Sequence, residues 1–301
     1  IPLYVGSGSP LSNVGTLTNQ GIELEVGYKL SVDKVNLSFL ANASYVKNEI
    51  KNLGNQTGYI DKESLPTLGT VSRNQNGYPI GYFFGYKAIG VFQTQEEIDN
   101  YISPATGKPI QPNAVPGDTK FEDLNGDGVI SDDNEDRTMI GKPNPDWMVG
   151  LTVAADWNGF DLSAFFQGSF GADVFDALRR YELAAVNYTS DALERWTGPG
   201  TSNSMPRIVL GDTPKNFRPS TLLVHDASFL RLRNLQVGYT LPAQLTRKAY
   251  IQRLRFYASF DNLLTITGYK GMDPEIGSTM GIDKGVYPQA RVYTFGLNLT
   301  F

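Results

Sequence analysis

Apolar and polar residues alternate over long stretches of this chain, and each stretch predicts a β-strand with one apolar and one polar face. Ile22, Leu24, Val26, Tyr28 and Leu30 alternate with Glu23, Glu25, Gly27 and Lys29. Val35, Leu37, Phe39, Ala41, Ala43 and Tyr45 alternate with Asn36, Ser38, Leu40, Asn42 and Ser44. The same pattern runs from Trp147 to Trp157, from Phe160 to Phe170 and from Arg253 to Asp261. Leu235, Val237 and Tyr239 belong to a further strand whose phase slips near Leu232, as a β-bulge would cause. At the end of the chain Tyr293, Phe295, Leu297, Leu299 and Phe301 share one face, and Thr294, Gly296, Asn298 and Thr300 share the other. These runs make about seven strands, each near the roughly 9–11 residues that cross a bilayer when tilted. Strands of globular proteins are shorter, about 5–6 residues.

The connections between the strands are asymmetric. Strand 21–30 meets 35–46 through Ser31, Val32, Asp33 and Lys34; strand 147–157 meets 160–170 through Asn158-Gly159, a two-residue hairpin signal. Strand 234–241 meets 250–262 through a short link around Pro242. The alternate connections are long, near 47–146, 171–228 and 264–290. Short turns at one end and long loops at the other are the periplasmic and extracellular ends of an outer-membrane barrel. Trp147, Trp157, Tyr28, Tyr45, Tyr239 and Tyr293 lie near strand ends, where interfacial aromatics belong. The predicted fold is therefore all-β, an antiparallel transmembrane barrel with long extracellular loops. A meander sandwich with large insertions is the soluble alternative. Bacterial barrels need an even strand number, about 8 or more. The remaining strands are expected upstream or on another chain, in keeping with a sequence that opens at Ile1 without a start Met.

Composition narrows the function. With 31 Gly, 16 Tyr and 16 Phe among 301 residues, the chain favours strands and turns. It has no apolar run near the roughly 18 residues of a spanning helix. Overall hydropathy is that of a soluble protein, as alternation in a barrel strand would give. Net charge is −5, and Lys and Arg form no basic stripe for nucleic acid. With no Cys and a single His, thiolate chemistry and His-rich metal sites are excluded, and no nucleophile–base set points to an enzyme. His225 reads as an ordinary loop histidine.

The longest loop holds Asp123-x-Asn125-x-Asp127-Gly128-Val129-Ile130, the first half of an EF-hand calcium loop. Ca²⁺ prefers about six to eight hard oxygens, which side chains at alternate positions of a tight loop supply. The candidate ligands are Asp123, Asn125, Asp127, the carbonyl of Val129, Asp133 and Asp136. Asn134 stands where the closing Glu of an EF-hand would be, and the closing ligand is left open. The competing reading is a turn held by its own Asx hydrogen bonds. In either case the loop is rigidified, not catalytic.

Pro116-Gly117-Asp118, Asp123-Leu124-Asn125-Gly126-Asp127-Gly128, Asp136-Arg137, Ile140-Gly141, Pro143-Asn144-Pro145 and Gly150 resemble the signature of SusC/RagA-type TonB-dependent transporters. Asn19 to Glu25, Gly77 to Tyr86, Gly90 to Gln93, Gly159 to Gly168, Phe229 to Asn234, Gly238-Tyr239 and Asp261 to Leu263 are similar to that family, in order along nearly the whole chain. The resemblance implies the C-terminal part of a 22-stranded barrel, whose plug domain lies outside this chain. It implies import of a glycan or oligopeptide, a SusD-like surface lipoprotein as lid, and drive from the TonB–ExbB–ExbD complex through an upstream segment. Outer-membrane lipid would surround the wall.

Residues 173–197 are expected to hold a loop helix against lid or plug, on the spacing of Val174, Leu178, Tyr181 and Leu183. Tyr82, Phe83, Phe84, Tyr86, Tyr101 and Trp196 are candidates for sugar or peptide stacking, with packing among the loops the more common reason for such residues. Arg253 and Arg255 are expected to face the lumen, and Leu297 and Leu299 mid-bilayer lipid. Alternative functions are a structural or secretion-associated barrel without uptake, or a soluble carbohydrate-binding sandwich.

Overall fold

The computed structural model describes residues 15–132, 135–276 and 280–301. Seven strands form one antiparallel sheet in chain order: β1 (Thr16–Val32), β2 (Val35–Asn52), β3 (Trp147–Trp157), β4 (Phe160–Phe170), β5 (Phe229–Thr240), β6 (Arg253–Thr267) and β7 (Val292–Thr300). Their register turns the alternation of each strand into continuous rungs across the sheet. One rung reads Tyr28, Phe39, Val153, Ala164, Leu235, Phe260 and Tyr293. Another reads Leu30, Leu37, Ala155, Leu162, Val237, Ala258 and Phe295. Between them lies Lys29, Ser38, Ala154, Ser163, Gln236, Ser259 and Thr294. Side chains alternate across a pleated sheet, so the two apolar rungs share one face and the polar rung the other. The apolar face stays largely uncovered: Leu24 is 63% exposed, Leu297 58% and Phe295 76%. An apolar sheet face with nothing packed on it belongs against lipid.

Aromatic residues collect at both margins of that face. Trp157, Phe160, Tyr239 and Phe256 follow one another along one rung, with rings 6.3 Å apart for Trp157–Phe160 and 4.4 Å for Phe160–Tyr239. At the other margin Tyr45 and Trp147 pair with rings 5.0 Å apart. The 11 residues from Trp147 to Trp157 span about 34 Å along a strand, or roughly 26 Å of height at a tilt near 40°, which matches the apolar band of a membrane barrel. Leu297 shares the rung of Trp157, and Leu299 lies one outward position farther towards the end. Both stand on the uncovered apolar face, 58% and 42% exposed; on β3, Leu151 and Val153 lie midway between the two tryptophans.

The phase slip in β5 is a bulge at Arg233. Leu232 opposes Phe166 and Asn234 opposes Phe165, which leaves Arg233 as the extra residue. The bulge switches the alternation, so Arg231 and Asn234 both face inward although they are three residues apart.

At one end of the sheet the connections are tight. Val32 opposes Val35 across Asp33-Lys34, and Trp157 opposes Phe160 across Asn158-Gly159. Asn158 (φ 48°) and Gly159 (φ 85°) both take the positive φ that such a turn requires. The third connection carries a short helix, Ala243–Thr246.

At the other end the connections 53–146, 171–228 and 268–291 fold together. The first builds a four-stranded sheet in the order Arg137–Gly141, Tyr82–Tyr86, Ser72–Gln75 and Tyr59–Asp61. The second and third share a sheet, in which Asp173–Asp176 lies between Val224–Asp226 and Ile282–Asp283. One core unites all three: Leu65, Val71 and Phe83 from the first, Phe175, Ala177 and Leu223 from the second, Ile282 from the third. Close approach fixes Gly85, because a Cβ there would lie 2.4 Å from the carbonyl oxygen of Pro219. The helix expected over 173–197 is absent. Asp173–Asp176 is drawn into strand pairing, and only a 3-10 turn forms at Ser190–Glu194. Tertiary pairing outweighs the weak helical spacing.

Candidate functional site

The inner face of the sheet carries ion pairs that tie strands to each other. Arg255 on β6 reaches across β5 to Asp161 on β4, with Nε to Oδ2 at 2.8 Å and Nη2 to Oδ1 at 2.5 Å, and also donates to Gln236. Gly238 is the residue crossed, and a Cβ there would lie 2.4 Å from Asp161 Oδ2. The Gly-Tyr pair of the sequence is thus a gap for a bidentate bridge. Arg253 shares the inner face and lines a polar hollow with Lys34, Asp156 and Asn298.

Nearer the loop end, Arg231 and Arg233 engage two carboxylates of the third connection, Asp273 and Glu275. The alternation marks a phase slip near Leu232 but singles out neither arginine. Two arginines flanking a slip, followed about forty residues on by Asp273-Pro274-Glu275, were the available signal. Burial pushes the Asp273 carboxyl up, but the amides of Gln289 and Glu275 and the Arg231 guanidinium outweigh it and hold the group below its ordinary value.

The acidic loop closes on itself. Asp123 accepts the amides of Gly126 at 2.8 Å and Gly128 at 2.9 Å; Asn125 accepts that of Asp127, and Asp127 that of Val129. The Asn125 side-chain amide donates to Asp127 and to Glu135. Asp136 is fully buried and accepts from the amides of Leu124 and Ser131. Asp123, Asn125, Asp127, Val129 and Asp136 are therefore parts of one hydrogen-bonded turn, while Asp133 lies outside the described residues. Among the described residues, no three Asp, Glu or His side chains gather into a metal-holding group. The loop is also wired outward: Lys215 pairs with Asp132, and Tyr86 donates to the Ser131 carbonyl at 2.7 Å.

The loop aromatics pack inward. Tyr82, Phe83, Phe84 and Tyr86 are each under 5% exposed. Arg73 sits 3.6 Å over the Phe84 ring, and Trp196 donates to Gln93. They are core and strut residues, not open stacking platforms. His225 lines a cavity of about 460 Å³ between the second and third connections, with Arg179, Asp191 and Lys270. Burial and the neighbouring Arg179 push the imidazole down from its ordinary value. Arg179 is itself committed to Asp176 at 2.8 Å and Asp191 at 2.5 Å.

No protein-family model matches the chain. It is 32% identical to TonB-dependent receptor P3 of Formosa agariphila, over 100% of this chain and 30% of that protein. It is 30% identical to TonB-dependent receptor SusC of Bacteroides thetaiotaomicron, over 96% of this chain and 27% of that protein. Among solved structures, that of the RagAB peptide transporter superposes with a TM-score of 0.75 at 27% identity, over 100% of this chain and 31% of that one. The chain spans about three-tenths of the length of these relatives.

Proposed function

Because the chain belongs to the SusC/RagA-type TonB-dependent receptors, we propose that it forms an arc of an outer-membrane barrel that imports a large nutrient, a glycan or an oligopeptide. In this reading the sheet is part of a 22-stranded wall, surrounded by lipid and filled by a plug domain. The three co-folded connections form the extracellular chamber beneath a SusD-like lipoprotein, and the TonB–ExbB–ExbD complex supplies the drive. The observation that carries the proposal is the rung pattern: apolar rungs on one face, polar rungs on the other, and long connections at one end only. The chemistry is carriage: on the inner face, Arg255, Arg231 and Arg233 are engaged in ion pairs between strands and loops. The same reading leaves a divalent-ion role for the acidic loop, where Asp123, Asn125 and Asp127 offer hard oxygens and the backbone is already shaped around them.

The test is uptake by cells that carry the full-length receptor, compared with a deletion strain. Both are fed a tryptic casein digest and a partial amylose hydrolysate, and depletion is followed by mass spectrometry. Receptor-dependent loss of one mixture supports import and names the substrate class. Equal depletion by both strains, with the receptor present in the outer membrane, favours a structural or secretion barrel.

A further inference from the structure

Arg231 is only 2% exposed although it stands on the inner face of a wall strand. Its guanidinium donates to Asp273 Oδ1 at 2.5 Å, Glu275 Oε2 at 3.1 Å and Thr265 Oγ1 at 2.9 Å. Arg233, displaced by the bulge, donates to Glu275 at 2.5 and 2.6 Å, to Gln167 at 2.7 Å and to Asn262 at 3.2 Å. Asp273 is fixed in turn by the amides of Glu275 and Gln289, both at 2.9 Å. At the other end of segment 268–276, the Tyr269 hydroxyl donates to Asp283 at 2.7 Å, beside the strand shared with Phe175 and Asp176.

These contacts set the path of the segment. On leaving β6 at Thr267 it does not simply continue outward from the wall. It turns back along the inner face to the level of Arg231, which opposes Gln167 and Thr265. Gln167 lies three residues inside the end of β4 at Phe170, a depth of about 10 Å along the strand. Two guanidiniums side by side repel each other, and the shared Glu275 carboxylate answers both. Withdrawing the segment would break four charge-assisted hydrogen bonds from Arg231 and Arg233. The segment is thereby held in place by contacts within this chain.

We propose that Arg231 and Arg233 are positioning residues that hold segment 268–276 inside the lumen as a fixed constriction, limiting the size of what passes along this side of the wall. The inference rests on the import reading, since only a passage has a size limit. Its test does not require transport, so the two can fail separately. A reporter, Ser163→Cys, is placed on the inner face below the clamp in the full-length receptor. Intact cells are then labelled from outside with a small maleimide and with a bulky polyethylene-glycol maleimide. With the clamp intact, the small reagent is expected to label and the bulky one to be excluded. Neutralising the segment with Asp273→Asn and Glu275→Gln should raise the bulky-to-small labelling ratio several-fold. A variant that misfolds would alter receptor abundance in the outer membrane, and Arg233→Gln, which leaves the Arg231 pairs in place, is then used and should give a smaller rise. An unchanged ratio in a receptor of normal abundance overturns the proposal. So does failure of both reagents to label whatever the state of the clamp, because the limit would then lie elsewhere.

Discussion

In the wall, Ile22, Leu24 and Leu297 stand 74%, 63% and 58% exposed, whereas in the loop body Val71, Phe83 and Phe175 are completely covered. The chain uses the same residue types in opposite senses within one polypeptide. In the wall, apolar side chains point away from the protein and polar ones towards it. In the loop body, apolar side chains point inward, and ionic groups such as Asp118, Asp136 and Asp283 are buried with hydrogen-bond partners. The difference lies in the solvent each part meets. Water drives burial of apolar surface, and lipid removes that drive while requiring every backbone group to be paired within the sheet. The hydrophobic core of this chain therefore sits in what the sequence presents as loops.

The sharpest way to break the contrast is through that core. Phe83→Ala should destabilise the loop body by about 3–5 kcal/mol, and the loss should appear as faster hydrogen exchange in all three connections with the wall strands unchanged. If only 53–146 responds, the three connections do not share one core.

A second contrast lies within the wall. Leu151→Arg places charge on the apolar face midway between Trp147 and Trp157 and should cost about 2–4 kcal/mol, whereas Thr294→Arg on the polar face should cost far less. Refolding of the full-length receptor into lipid vesicles measures both. Equal costs would mean that the two faces of the wall do not meet different solvents.

A third prediction concerns pH in the loop body. Burial pushes the Asp212 carboxyl up to about 6, against the amides of Phe217 and Asn216, which pull it down. Below its ordinary value of 3.8 the group is neutral in both folded and unfolded chain, and its full contribution to stability is present. As pH rises towards about 6 the unfolded chain ionises first, so stability is lost across that window. Exchange at Asn216 and Phe217, corrected for intrinsic rates, should be slower at the acid end. Asp212→Asn should abolish the dependence.

The smallest expected effect is at the acidic loop. Chelation with EDTA should increase proteolysis around Asp123 and Asp127 if a divalent ion adds to the Asx network. No change would leave the network as the sole support of the turn.

The wall was readable because barrel strands obey a local rule. Period-2 alternation in Tyr293 to Phe301 states the face of every residue, and Asn158-Gly159 states its turn. The slip at Leu232 announced the bulge, although only the register showed that Arg233 is the extra residue. The loop body was far less readable, because its order is set by pairings across long separations. Phe175 opposes Ile282, and Thr119 donates to Asn216; no local pattern encodes either contact. The failed helix over 173–197 has the same origin. The acidic motif was found by spacing, yet spacing alone does not tell that Asp136 turns inward to the amides of Leu124 and Ser131. The clamp at Arg231 and Arg233 stayed hidden because its partners arrive from another connection.

The chain has three tryptophans, and they sample both environments. Trp147 and Trp157 stand 47% and 53% exposed on the apolar face, while Trp196 is held in the loop body by its bond to Gln93 at 3.1 Å. The most direct measurement is fluorescence quenching of the full-length receptor in vesicles of brominated lipid, comparing Trp147→Phe, Trp157→Phe and Trp196→Phe. Removing Trp147 or Trp157 should remove a lipid-quenched component, and removing Trp196 a component that lipid does not reach. A Trp196 quenched by lipid, or a Trp157 reached only by aqueous iodide, would contradict the division into a lipid-facing wall and a water-facing loop body.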